Sequence, residues 1–324
     1  MIKMAFFDTK PYDKMCFDAL KDKYGVFIKY FESKLNADTA VMAKGYDGVI
    51  AFVNDTIDKD TIDTLVSLGI HLVALRCAGF NNIDAKYAKG KINIVRVPKY
   101  SPYAIAEHAM GLLLCLNRRI HRAYIRTKDF NFSLNGLTGF DLHGKTIGVV
   151  GTGKIGQVFI DICRGFGMNV IAYDIYPSAE GVEYTDIETL CRRADIISLH
   201  CPLTADTKHI IRRDTIEVMK DGVIILNTSR GALIDSDDLA DGLKSGKIGG
   251  AALDVYEEES DIFFEDKSDT IVDDDTLRIL LSMPNVLITS HQAFLTNEAL
   301  ENIADVTLGN IQDFFNNKLT NSVI

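Results

Sequence analysis

Residues 146–174 read TIGVVGTGKIGQVFIDICRGFGMNVIAYD, and no other stretch of the chain restricts its fold as tightly. The apolar run 147–150 is of strand type, and Gly151, Gly153 and Gly156 follow it in G-x-G-x-x-G spacing. A helical pattern then sets Ile155, Val158, Phe159, Ile162 and Phe166 on one face, and residues 170–173 form a second strand closed by Asp174. Each glycine has a physical reason: Gly151 for a tight turn, Gly153 for close backbone approach to a pyrophosphate, Gly156 for close helix–strand packing. Phosphates placed there meet the unpaired N–H groups and the positive end of a helix. Asp174 can accept hydrogen bonds from a ribose diol, and its charge repels a 2′-phosphate, which predicts NAD rather than NADP. The nearby GFDLHGKT at 139–146 matches a P-loop by letter, but a polar loop precedes it and a strand follows, so it reads as a turn.

Around this unit the chain alternates strand and helix signals. Strand-like runs lie at 4–7, 26–30, 49–53, 72–75 and 92–97, with helical stretches at 12–23 and 58–68, which predicts an α/β domain with a parallel sheet. The segment 76–82 (RCAGFNN) follows a strand end, where open α/β sheets place ligands. Residues 97–102 read as a hinge leading into a helix at 104–116 that is apolar on nearly every face and so predicted to be buried between domains or subunits. The basic run NRRIHRAYIRTK at 117–128 fits ion pairs at a subunit contact, or an anion site. Further strands at 196–199, 223–226, 250–253 and 286–289 each end in a polar cluster, and a helix at 296–316 is predicted to return to the first domain. The acidic segment 257–275 reads as a solvated loop, with a lid or a subunit contact as the alternatives.

In 324 residues that are 47% hydrophobic there is apolar content for two domains, and the net charge of −10 argues against nucleic acid as the main partner. The six cysteines form no C-x-x-C pair and lie mostly in apolar runs, so they read as reduced, buried thiols. No leader or membrane-length apolar run is seen, which predicts a cytoplasmic protein without a membrane partner.

Reduction of a keto acid by a nicotinamide cofactor needs a cation for the carboxylate, a proton donor for the carbonyl oxygen, and a group that tunes the donor. Arg230 offers a bidentate fork, and His291 is the proton carrier that a strand end above the cofactor would present. Glu257, Glu258 and Glu259 compete for the tuning role on spacing alone. His71, His108, His121, His143, His200 and His209 lack that context, and none has zinc spacing with cysteine, so no metal is predicted.

The motifs ALRCAGFNNID, VPKYSPYAIAEH, LNRRIHRAYIRT, GVVGTGKIGQ, ISLHCPLT, NTSRGALID, ALDVYEEESDIFFEDKS and SHQAFLT run almost end to end. With them the chain resembles the D-isomer-specific 2-hydroxyacid dehydrogenases, most of all their bacterial fermentative D-lactate-forming branch. The resemblance implies two doubly wound parallel-sheet domains. An NAD-binding Rossmann domain (100–296) is inserted in a flavodoxin-like catalytic domain (1–99 plus 297–324). It implies Arg230, Glu259 and His291 as the catalytic set, with Ala78, Gly79, Tyr100 and Phe294 joining Arg230 at the substrate. Cofactor contacts are implied at Gly151, Gly153, Lys154, Ile155, Gly156, Asp174, Cys201, Pro202, Thr207, Thr228, Ser229 and Asp254. The expected reaction is NADH-dependent reduction of pyruvate by a homo-oligomer, dimer or tetramer. The alternatives are a larger 2-keto acid, glyoxylate or hydroxypyruvate as substrate, or a non-catalytic NAD-sensing module on the same fold.

Overall fold

A computed structural model describes residues 1–259 and 262–324. They divide into two compact units, Met1–Ser101 with Leu295–Ile324, and Pro102–Phe294. No helix among the described residues is long and apolar enough to cross a membrane.

Unit 1 begins with β1 (Ile2–Phe6), α1 (Pro11–Leu20), β2 (Val26–Tyr30), β3 (Gly48–Ala51), α2 (Lys59–Ser67), β4 (Leu72–Leu75), α3 (Ala85–Ala88) and β5 (Asn93–Val95). Its sheet is parallel, in the order β2-β1-β3-β4-β5. Strands covered on both faces need unbroken apolar runs, and all of GVIA in β3 and LVAL in β4 is buried. Asp58 starts α2 by accepting from the Thr61 N–H, and Asp84 caps α3 through the Tyr87 N–H.

Unit 2 runs α4 (Pro102–Asn117), α5 (Ile120–Lys128), β6 (Thr146–Val150), α6 (Lys154–Gly165), β7 (Asn169–Tyr173), β8 (Glu183–Tyr184), α7 (Ile187–Arg193), β9 (Ile196–Leu199), α8 (Arg213–Val218), β10 (Val223–Asn227), α9 (Ser236–Ser245), β11 (Ile248–Leu253), α10 (Asp275–Ser282) and β12 (Val286–Ile288). Its parallel sheet has the order β12-β11-β10-β9-β6-β7-β8. Alternate residues feed two cores. Ile225, Ala251 and Leu253 pack in one, while Ile224, Leu226 and Ala252 pack in the other, with α4 and α6. Strand order reverses at β6, which has β7 on one side and β9 on the other, and such switch points open a ligand crevice beyond the strand ends. The chain then returns to unit 1 as α11 (Asn297–Phe315), which packs on α1 and β4 and buries Leu300, Ile303, Ala304, Leu308 and Ile311.

Two sequence expectations change. The buried face of α6 is Gly156, Phe159, Ile160 and Cys163, with Phe166 at 39% exposure, so the stripe is turned by about one residue. Close approach at Gly156 sets that rotation, not the largest side chains. The segment 257–275 is also more than a solvated loop. Phe263 is buried, Ile262, Phe264 and Val272 pack on the core, and the Tyr256 hydroxyl donates to Asp274 over 3.0 Å.

Candidate active site

At the switch point Gly151 has φ of 96°, and a Cβ there would lie 2.6 Å from the Cys201 nitrogen. A Cβ on Gly156 would lie 2.1 Å from the Gly151 carbonyl oxygen. Gly153 is different: a Cβ would meet nothing within 4 Å, so open space lies before the helix. Gly153 is also the N-cap of α6 and supplies no side-chain cap, which leaves first-turn N–H groups available to an anion. Lys154 is exposed and Ile155 half-buried in that turn.

Asp174, just beyond β7, accepts from the Thr152 N–H (2.6 Å) and hydroxyl (3.0 Å) on Oδ2, and from the Tyr176 N–H (2.8 Å) on Oδ1. A carboxylate has about four acceptor positions, so it can still take a ribose hydroxyl. Across the crevice the buried Thr228 Oγ1 has no partner among the described residues. The Ser229 hydroxyl donates to the Cys201 carbonyl (2.7 Å), and the Thr207 hydroxyl to the Pro202 carbonyl (2.7 Å). Burial pushes the Cys201 thiol up to about 12, with Asp174 adding to the rise, so this sulfur is an uncharged wall and not a nucleophile. The open turn, the uncapped helix, the acid and the orphaned hydroxyl together fit a dinucleotide.

The second half of the site lies beyond β10, β11 and β12. Asn227, almost fully buried, accepts from the Ser229 N–H (3.0 Å) and donates to the Arg230 carbonyl (2.8 Å), which fixes the turn carrying Arg230. The guanidinium donates from Nη1 to the Ser229 carbonyl (2.7 Å) and pairs with no carboxylate among the described residues. His291 Nδ1 lies 2.9 Å from Glu259 Oε1, and Glu259 Oε2 accepts from the Tyr256 N–H (2.9 Å). That holds the carboxylate at both oxygens and leaves His291 Nε2 with no partner among the described residues. The Phe264 ring lies against the imidazole, centroids 5.7 Å apart.

Asp254 sits beneath this pair. The resemblance implied a cofactor contact, but its side chain is fully enclosed. It accepts from the Thr289 hydroxyl (2.5 Å) and the N–H groups of Gln292 (2.9 Å) and Ala293 (2.8 Å), and His108 Nε2 lies 3.4 Å away. Burial pushes its carboxyl up, but the donors from His108, Thr289, Ala293 and Gln292 outweigh that and hold it below the usual carboxylate range. The Asp254 carbonyl also accepts from the His291 N–H (2.7 Å). Three successive N–H groups are thus gathered by one residue, which accounts for the left-handed backbone of His291, φ 54°.

In unit 1 the loop after β4 carries Ala78 and Gly79. Arg96 Nη1 donates to the Ala78 carbonyl (2.7 Å), the Cys77 thiol to the Gly79 carbonyl (3.3 Å), and the Asn82 amide to the carbonyls of Phe52 and Asp55. Tyr100 lies in unit 1 near its end, and Phe294 is the buried last residue of unit 2.

Sequence reasoning gave His108, His209 and Asn227 no role. His108 reaches Thr289 across 181 residues of chain, and no local spacing signals such a pairing. Its one cue is a histidine, next to Glu107, inside a largely apolar helix.

Residues 110–293 match the model of the D-isomer specific 2-hydroxyacid dehydrogenase NAD binding domain. The chain is 50% identical over 317 residues to the D-lactate dehydrogenase of Escherichia coli K12, covering 96% of each. The apo structure of Escherichia coli D-lactate dehydrogenase superposes with a TM-score of 0.92, at 46% identity and 100% coverage of both chains. The NAD-complexed D-isomer specific 2-hydroxyacid dehydrogenase of Lactobacillus delbrueckii ssp. bulgaricus gives 0.83 at 30% identity, covering 99% of this chain and 100% of that one.

Proposed function

This chain belongs to the D-isomer-specific 2-hydroxyacid dehydrogenase family, and from that premise we propose that it is an NAD-dependent D-lactate dehydrogenase reducing pyruvate to D-lactate. The observation that carries the chemistry is the His291–Glu259 pair, in the same unit as Arg230, with Nε2 unpartnered and the guanidinium without a carboxylate partner among the described residues.

In this reading Arg230 binds the substrate carboxylate and polarises the C2 carbonyl, and its fixed positive charge stabilises the oxygen as negative charge develops. When bound, NADH supplies the hydride that reduces C2. Protonated His291 donates from Nε2 to the C2 oxygen, and Glu259 holds Nδ1 so that the ring is oriented. In the reverse direction His291 takes that proton back. Asp254 acts from below, by holding the segment that carries His291. Ala78, Gly79, Tyr100 and Phe294 remain part of the proposal as substrate contacts.

The proposal extends to a homo-oligomer and to the cytoplasm. Ile120, Tyr124, Ile125, Phe130, Phe132 and Leu134 are exposed on and after α5, an apolar surface of the kind that subunit contacts cover. All six cysteines are free, as suits a reducing compartment.

The test follows NADH absorbance with pyruvate, 2-oxoisocaproate, phenylpyruvate, glyoxylate and hydroxypyruvate, with chiral analysis of the product. Fast turnover of pyruvate to D-lactate is expected. Arg230→Ala should raise KM for pyruvate and lower kcat, together costing at least about 100-fold in kcat/KM. Wild-type kinetics in that variant would remove Arg230 from the assignment.

A further inference from the structure

Glu257 precedes Glu259 by two residues yet serves a different imidazole. Its Oε1 lies 2.6 Å from His209 Nε2, and His209 Nδ1 lies 3.5 Å from Asp235 Oδ2. One ring therefore stands between two carboxylates from separate segments. The side chains of His209 and Glu257 are only 27% and 19% exposed, so water competes weakly for their hydrogen bond.

The backbone is arranged around the same point. His209 has φ of 51°, a left-handed conformation that a non-glycine residue keeps only where its surroundings over-determine it. The His209 N–H donates to the Ala232 carbonyl (2.9 Å) and the Ile211 N–H to the Leu233 carbonyl (3.1 Å), so this segment runs against the turn that follows Arg230. On its other side that turn meets the segment bearing Glu259. A Cβ on Gly231 would lie 2.0 Å from the Tyr256 carbonyl carbon and 2.4 Å from the Glu257 nitrogen. The turn after Arg230, the Tyr256–Glu259 turn and the His209 segment are therefore one packed group, and the His209–Glu257 bond ties its outer edge.

We propose that His209 and Glu257 are positioning residues, a second imidazole–carboxylate pair that holds Glu259 in register with Arg230. The proposal rests on the reading of Arg230, Glu259 and His291 as the reacting set. Glu257 and Asp235 border a cavity of about 750 Å³, so once the tie is cut the Glu259 turn has room to shift. A displacement of about 1 Å in a group that orients the proton donor can cost about 100-fold in rate.

The experiment compares Glu257→Ala, Glu257→Gln, His209→Gln, Glu259→Gln and the double variant Glu257→Ala/Glu259→Gln in the full-length protein. NADH affinity and thermal midpoint serve as controls of folding. Glu257→Ala is expected to lower kcat for pyruvate reduction by about 10- to 100-fold with NADH affinity held within about twofold. Glu257→Gln, which can still accept from His209, should recover most of the rate, and His209→Gln should resemble it. In the double variant Glu257→Ala should cost less than about twofold beyond Glu259→Gln alone, since both act through one carboxylate. Independent, multiplicative losses in the double variant, or no recovery of rate in Glu257→Gln, would overturn the brace. If Glu259→Gln itself leaves the rate unchanged, the underlying assignment of Glu259 fails, and the brace with it.

Discussion

His291 and Asp55 show how single groups are set by what surrounds them. Asp254 gathers the N–H groups of residues 291, 292 and 293, so a strained backbone becomes the stable one. Asp55 in unit 1 accepts from the N–H groups of Leu35 and Phe52, each at 2.6 Å. Burial nevertheless pushes its carboxyl up to about 7, with Asp8 adding to the rise. The folded state thus binds this proton more tightly than the unfolded chain, whose aspartates titrate near about 3.9. The stability it contributes is fully present below about pH 4 and is lost as pH rises through about 7. Asp55→Asn removes the titration. Its midpoint of urea unfolding should therefore gain on the wild type between about pH 5 and pH 8. A difference that stays constant across that range would place the buried titration elsewhere. Single residues were also the least legible in sequence: on spacing alone three adjacent glutamates were equal candidates, the family resemblance pointed to Glu259, and the structure sets Glu259 against His291 by a contact spanning 32 residues.

The unit β6–α6–β7 was legible as an element because its signals are local. Glycine spacing, strand length and the terminal acid all lie within one short stretch. What spacing could not give was the rotation of α6, fixed by contact between Gly156 and the Gly151 carbonyl. The two glycines should therefore respond differently. Gly156→Ala forces the helix away from the turn and should cost about 1–3 kcal/mol of stability as well as cofactor affinity. Gly153→Ala meets no protein atom, so its thermal midpoint should stay near wild type while NADH binding, measured by titration calorimetry, weakens at least about tenfold. Equal loss of stability in both variants would contradict a phosphate-facing role for Gly153. The acidic segment was misread at this scale because its charges hide Ile262, Phe263, Phe264 and Val272, which pack on the core.

The chain as a whole builds unit 2 within one continuous stretch and returns to complete unit 1 with α11. An exposed apolar surface lies on and after α5, where Ile125 and Phe130 are 60% and 84% exposed. The arginines there are partly used at home: Arg119 donates to the Pro284 carbonyl and Arg126 to the Asn135 carbonyl. Charge placed in that surface should disfavour a second copy without disturbing the cofactor crevice. Ile125→Asp is expected to lower the mass seen by sedimentation while NADH affinity stays unchanged. A wild-type chain that sediments as a monomer would remove the oligomer from the proposal.

By itself the sequence determined the fold class, the dinucleotide crevice and the preference for NAD. Each depends on periodicity or on residues close together in the chain. It also named Arg230 and His291, because polar clusters at strand ends converge in any doubly wound sheet. Tertiary structure alone decided what Asp254 holds, that His108 reaches Thr289 and that His209 meets Glu257. Those are pairings between distant segments, fixed by sheet order and close packing, and no local spacing encodes them.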